Sequence, residues 1–297
     1  MITRTKRPTS TTSKCRRSLQ VVAVFALALT GCSSASTDTA STAIPAEATV
    51  PTTTTLSTSA VASDEEPLVL VAFGDSLISW PDRPDAGVIG LYAGMLEEEF
   101  GVPVDVRSRA VWGSSPTQLL NALGSEGVQA DLAEADLVLL EIPMGDSAGP
   151  FSTATGWQGR DPADCGGDDN QQCLRDYLAQ NMASVEAILA ALTATCDPSE
   201  TLIRALDVYQ LQVEDQITMG TLQLTKPYWE AAQAFLEETS AGYGIPVAQV
   251  YEEFMGPDGT DDPQGRELVV ADQRHPTQAG AQLIAEMIHD LGYDLAG

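Results

Sequence analysis

The sequence is short of cations, of histidine and of long apolar runs, and each shortage excludes something. Beyond residue 31 the only lysine is Lys226, and the whole chain sets 15 Lys+Arg against 42 Asp+Glu. Six of those cations (Arg4, Lys6, Arg7, Lys14, Arg16 and Arg17) lie in residues 1–31, where there is no acidic residue. Without them the balance is 9 against 42, a net charge of −33. So acidic a surface repels phosphate backbones and anionic headgroups, which argues against nucleic acid as a partner. The apolar run Val21–Leu29 falls well short of the roughly twenty residues that cross a bilayer. Two histidines, His275 and His289, and five cysteines show no metal-ligand spacing, and no glycine-rich phosphate cradle occurs, so no metal and no cofactor is implied. The acidic stretches 161–169 and 258–262 lack the Asp-x-Asp-x-Asp-Gly spacing of a calcium loop and read as solvated turns. There is no internal repeat.

What the chain does contain divides into three parts. Residues 1–31 have a basic start, a short apolar run and small residues, the pattern of a secretory signal. The ending Leu29-Thr30-Gly31-Cys32 resembles a bacterial lipobox, which implies that Cys32 is lipidated and that the mature chain is extracytoplasmic, held to the cell membrane by its acyl chains alone. Residues 32–66 are rich in Ser, Thr, Ala and Pro with no apolar period, and read as a disordered tether. Residues 67–297 are long enough for one domain with a sizeable core.

In an oxidising compartment the remaining cysteines bear on folding. Cys165 and Cys173 flank a short polar loop and are expected to pair. The segment from Cys173 to Cys196 reads as helix, which separates its ends by roughly 34 Å, whereas a disulfide needs Cα atoms within about 7 Å. Cys196 is therefore expected to be buried and free.

The apolar run Leu68–Ala72 stops at Phe73-Gly74-Asp75-Ser76-Leu77, a buried strand running into a tight turn. Further strands are expected at 103–111, 136–142, 201–209 and 246–250. Helices are expected at 89–100, 116–123 (with Ser115 as cap), 173–195 and 228–239, and after His275, with a long loop over 144–171. Alternating strand and helix argue for a parallel sheet covered on both faces. A turn at the carboxyl end of a parallel strand sets Ser76 over the crevice where open α/β sheets bind ligands. Near the other end runs Asp272-Gln273-Arg274-His275-Pro276-Thr277, a carboxylate three residues before a histidine and just ahead of a helix. Ser76, Asp272 and His275 are the expected nucleophile, orienting carboxylate and base of a catalytic triad. His289, inside the last helix, reads as an ordinary end-of-helix histidine.

Gly-Asp-Ser-Leu after the first strand, combined with Asp-x-x-His-Pro-Thr opening the last helix about 200 residues later, resembles the SGNH, or GDSL, hydrolase superfamily of esterases, lipases and carbohydrate deacylases. The resemblance covers residues 67–297. It implies a flavodoxin-like three-layer α/β/α sandwich with a five-stranded parallel sheet, and a serine esterase that works through an acyl-enzyme on acyl-ester small molecules or acylated glycans. It also implies an oxyanion hole built from the Ser76 N–H and the Gly113 N–H. The family's third donor, the asparagine of Gly-x-Asn-Asp, is replaced here: the sequence reads Pro143-Met144-Gly145-Asp146, so Gly145 takes that position and Asp146 the aspartate's. A missing side-chain donor of this kind typically costs about 10²–10³ in rate; the Gly145 N–H or Asn170 are the substitutes. Two alternatives stand beside the esterase: a non-catalytic glycan- or lipid-binding surface protein on the same fold, and an acyltransferase onto envelope polymers. Trp80, Trp112, Met144 and Trp157 are expected near the strand ends, in a pocket or in the core.

Overall fold

The computed structural model describes residues 66–80, 86–143 and 148–295. The signal and tether, Cys32, Met144, Gly145 and Asp146 lie outside the described residues. Five strands, β1 (Leu68–Phe73), β2 (Val104–Ser108), β3 (Leu137–Glu141), β4 (Leu202–Leu206) and β5 (Val247–Ala248), form one sheet in the order β2-β1-β3-β4-β5. Every pairing is parallel, with Leu70 opposite Val106 on one side and Leu137 on the other.

Because successive side chains leave opposite faces of a strand, each apolar run feeds two cores. Leu70, Ala72, Leu137 and Leu139 join Ile89, Tyr92 and Leu96 of α1 (Val88–Phe100) and Ala281, Ile284 and Ile288 of α9 (Gln278–Asp290). Val71, Phe73, Val138 and Leu140 meet Leu119 and Leu123 of α2 (Pro116–Leu123), Leu132 of α3 (Glu126–Glu134) and Val185, Ile188 and Leu192 of α5 (Gln172–Thr195). The result is the expected α/β/α sandwich. Edge strand β2 is the least buried. Its Arg107 pairs with Asp105, Asp131 and Glu134, and Arg109 pairs with Asp131, which sets charge along an edge that would otherwise invite further strands.

Elements with a strong apolar period fall close to where the sequence puts them. The capping box at Ser115 is present, with Ser115 Oγ accepting from the Gln118 N–H and Gln118 Oε1 from the Ser115 N–H. Others differ. The stretch 144–171 is not a plain loop, since α4 (Ala148–Thr155) occupies part of it; Phe151 and Ala154 of that helix are buried, the Phe151 ring edge-on to Tyr177 and Trp229. α3, α6 (Val213–Met219) and α8 (Val250–Met255) are too short for a period to show in the sequence. α7 (Leu222–Gly242) begins six residues before the expected start and runs through Pro227, because Leu222 and Thr225 are drawn into the core ahead of it. The fifth strand is only two residues long, and Val250 already belongs to α8, whose Tyr251 N–H is capped by Asp207 Oδ1 at 2.8 Å.

Cys165 and Cys173 form a disulfide with Cα atoms 4.8 Å apart, tying a single 3₁₀ turn to the first turn of α5. Cys196 is fully buried, as expected, but it is not free.

Candidate active site

After β1 the chain turns sharply. Asp75 Oδ1 accepts the Leu77 N–H at 2.8 Å and the Asp75 carbonyl accepts the Ser79 N–H at 3.3 Å, which lifts Ser76 out of the strand. Beneath the turn lies Glu141, the last residue of β3 and fully buried; its Oε2 accepts the Asp75 N–H at 2.6 Å. A Cβ on Gly74 would collide with that Oε2 and stand 2.6 Å from Ile78 Cδ1, so a larger residue there would have to displace the Glu141 carboxyl from beneath the turn. The other Glu141 oxygen, Oε1, is buried and has no hydrogen-bond partner among the described residues. Burial, followed by the neighbouring Asp75 carboxyl, holds the Glu141 pKa well above the ordinary range, which favours its neutral form. Burial likewise raises Asp75, against the Leu77 N–H bond and the field of His275.

His275 arrives from the far end of the chain. An isolated bridge between Val269 and Pro276, with the Val270 N–H bonded to the His275 carbonyl at 2.9 Å, closes a short loop around Asp272-Gln273-Arg274. Gln273 sits at φ 57 within it, and its carbonyl accepts the Gln212 N–H at 2.9 Å. Tyr209 donates its hydroxyl to the Arg274 carbonyl at 2.6 Å. Pro276 then ends the loop, and Thr277 caps α9 by accepting the Gly280 N–H at 3.0 Å.

Within this loop Asp272 Oδ1 accepts the backbone N–H of Arg274 (2.9 Å) and of His275 (3.0 Å), and Oδ2 stands 2.5 Å from His275 Nδ1. A carboxylate can only accept, so Nδ1 carries the proton and Nε2 is left to accept from Ser76 Oγ, 2.9 Å away and 199 residues distant in sequence. Partial burial pushes the Asp272 pKa up, but the His275 ring and the two backbone N–H bonds outweigh it, and the net shift is downward. The sequence motif thus brings Ser76, His275 and Asp272 into one hydrogen-bonded row.

The loop after β2 lies against the serine turn through Val111 N–H to the Gly74 carbonyl (2.9 Å) and Ser114 Oγ to the same oxygen (3.4 Å). Gly113 of this loop takes a left-handed φ of 65. Among the described residues neither the Ser76 nor the Gly113 N–H makes a hydrogen bond, which leaves both donors available. Asn170 is exposed in a turn at φ 54. Trp112, 54% exposed, donates its Nε1–H to the Ser79 carbonyl at 2.8 Å and lays its ring beside the His275 imidazole, centroids 5.6 Å apart at 22°. Trp157 lies under Arg274 instead, its Nε1–H donated to Asp215 Oδ2 at 2.9 Å. His289 stays in the last turn of α9, edge-on to Tyr293.

Sequence reasoning passed over Glu141 and Arg274. The first had a signal, an acidic residue closing an otherwise apolar strand, Leu-Val-Leu-Leu-Glu; the second had none. Among the described residues no group of three or more His, Cys, Asp or Glu could hold a metal ion.

No protein-family model and no curated protein matches the chain. Solved structures do. A lipase from a goat rumen metagenome aligns with TM-score 0.59 at 18% identity, over 76% of this chain and 98% of its own. A Parabacteroides merdae protein described as a GDSL-like lipase aligns with TM-score 0.51 at 15% identity, over 77% and 97%. An acetyl xylan esterase from Geobacillus stearothermophilus gives TM-score 0.51 at 16% identity, over 77% and 97%. The chain therefore shares the α/β fold of these lipases and of this esterase.

Proposed function

We propose that the protein is a serine esterase that cleaves small acyl esters through an acyl-enzyme. The observation that carries this reading is the unbroken row Asp272–His275–Ser76, with both hydrogen bonds within reach of proton transfer. His275 Nε2 removes the Ser76 proton as Oγ attacks the ester carbonyl, and the resulting imidazolium is steadied by Asp272, which stays ionised. The Ser76 and Gly113 N–H groups receive the oxyanion. The imidazolium then protonates the leaving alcohol, and water, activated by the same base, releases the acid. The replacement of the family asparagine by Gly145 removes one donor, so turnover is expected to be slow rather than absent. The acetyl xylan esterase and lipase neighbours favour carboxylic esters, including acetylated glycans, as substrates. A lipid anchor at Cys32 would hold the enzyme outside the cell membrane.

The test is incubation of the purified protein with a fluorophosphonate, followed by peptide mapping. Ser76 is expected to carry the adduct, and Ser76→Ala is expected to take no label and to lose hydrolysis of p-nitrophenyl acetate by about 10³-fold or more. A folded protein that takes no label would instead be a binder on the same scaffold.

A further inference from the structure

Among the described residues nearly every cation of this acidic chain is committed. Arg107, Arg109, Arg175, Lys226 and Arg266 each lie within ion-pair distance of a carboxylate. Arg204 is buried and spent on the backbone carbonyls of Ile203, Gly292 and Asp294. Two guanidinium groups have no carboxylate partner among the described residues, Arg160 and Arg274; the Arg274 guanidinium and the Arg160 backbone both meet Trp157. Arg274 stands over the Trp157 ring at 5.7 Å, while the Arg160 N–H is bonded to the Trp157 carbonyl at 3.3 Å.

Arg274 adjoins the catalytic row, because it immediately precedes His275 and shares its anchoring on Asp272 Oδ1. The backbone of Arg274 is fixed at both its polar groups, the N–H on Asp272 and the carbonyl on the Tyr209 hydroxyl. Its platform is fixed as well, through Trp157 Nε1–H on Asp215, whose own N–H is held by Gln273 Oε1 at 3.1 Å. The half-buried guanidinium lies over the indole ring, and among the described residues its N–H donors are not spent on other groups, an arrangement suited to binding an oxyanion. In so acidic a chain, an arginine beside His275 with no carboxylate partner among the described residues is out of keeping with the other described cations.

We infer that Arg274, carried on Trp157 and assisted by Arg160, is an anion subsite, and that the preferred substrates are acyl esters bearing a negatively charged oxygen group, a carboxylate or a phosphate, close to the ester. This rests on the esterase reading and narrows it to a substrate class. Asp215 beside the indole and the overall negative field oppose the anion, so selectivity depends on direct contact with the guanidinium and not on long-range attraction.

The experiment compares near-isosteric acetyl esters: 4-acetoxybenzoate, its neutral methyl ester, and 4-acetoxyphenyl phosphate. The full protein is expected to favour at least one anionic ester over the neutral one by about tenfold in kcat/KM, the range of one charge-assisted contact. Which anion is favoured separates carboxylate from phosphate substrates. Arg274→Met is expected to lower the anionic-to-neutral ratio by about tenfold, with partial recovery in Arg274→Lys and a smaller drop in Arg160→Gln. The neutral ester registers general damage to the enzyme, so a change in the ratio isolates the loss of the charge contact. Hydrolysis of the neutral ester with no anionic preference, or a ratio unmoved in Arg274→Met, overturns the inference and leaves the esterase standing. No hydrolysis of any ester, with no label on Ser76, removes both.

Discussion

Among single residues, Glu141 is the group on which the nucleophile turn rests. Burial and the neighbouring Asp75 carboxyl favour the protonated form of this group, and in either form its Oε2 accepts the Asp75 N–H at 2.6 Å. Its influence on Ser76 passes through one backbone bond, so it positions the serine and takes no part in the chemistry. Glu141→Gln preserves an acceptor of the same shape and is expected to keep fluorophosphonate labelling of Ser76 within a few-fold of the parent. Glu141→Leu strands the Asp75 N–H, which costs about 1–3 kcal/mol of stability, and is expected to slow labelling by about tenfold or more. Thermal unfolding beside labelling rates separates the two contributions. Equal labelling rates in both variants would show that the turn holds Ser76 unaided.

Between elements, two helical glycines make opposite predictions. Gly280 lies in the first turn of α9, where an added Cβ would run into the Leu268 carbonyl, 3.0 Å from its carbon; the same carbonyl accepts the Thr277 N–H at 2.9 Å. The close approach of α9 to that segment sets where Pro276, and therefore His275, can sit. Gly280→Ala is expected to lose about 1–3 kcal/mol through overpacking and to reduce kcat more than KM, since the imidazole is displaced from Ser76. Gly94 in α1 has nothing within 4 Å of an added Cβ. Gly94→Ala is expected to gain about 0.5–1 kcal/mol at unchanged kcat/KM, by removing backbone freedom from the unfolded chain. Denaturant titration and steady-state kinetics on both variants check the pair.

Across the whole molecule, a buried carboxyl gives stability a definite pH dependence. Asp207 closes the β4 side of the sheet as the cap of α8, and burial pushes its pKa up to about 7, against the pull of its backbone bonds to Tyr251 and Val250. The unfolded chain loses this proton near pH 4 and the native one only near 7. Across that window the native state binds more protons, so stability falls as pH rises. The span corresponds to roughly 4 kcal/mol at most, at about 1.4 kcal/mol for each unit. Asp207→Asn keeps an acceptor for the Tyr251 N–H and is expected to flatten the decline, unfolding at higher denaturant than the parent at pH 7.5 and showing little gain at pH 4.5. Urea midpoints at the two pH values measure this directly. The row Asp272–His275–Ser76 works in the opposite sense, because the Asp272 pKa is lowered and its ionised form is kept as pH falls.

Local patterns in the chain were enough to set the alternation of strands and helices, the two-faced sheet and the residues that meet in the hydrogen-bonded row Asp272–His275–Ser76. An apolar run ends in Gly-Asp-Ser, a Ser-Pro pair starts a helix, and a carboxylate three residues before a histidine reaches it through the same loop. Other features came from packing alone. α4 forms without a period of its own, because Phe151 and Ala154 find a place in the core. α7 runs through Pro227 because residues ahead of it are buried. Glu141 is read as the support of Ser76, and Arg274 as a cation over Trp157 with no carboxylate partner among the described residues, only when segments far apart in the chain are seen side by side. A local pattern records what a residue does to its neighbours along the chain, whereas burial and charge pairing depend on what the fold brings against it.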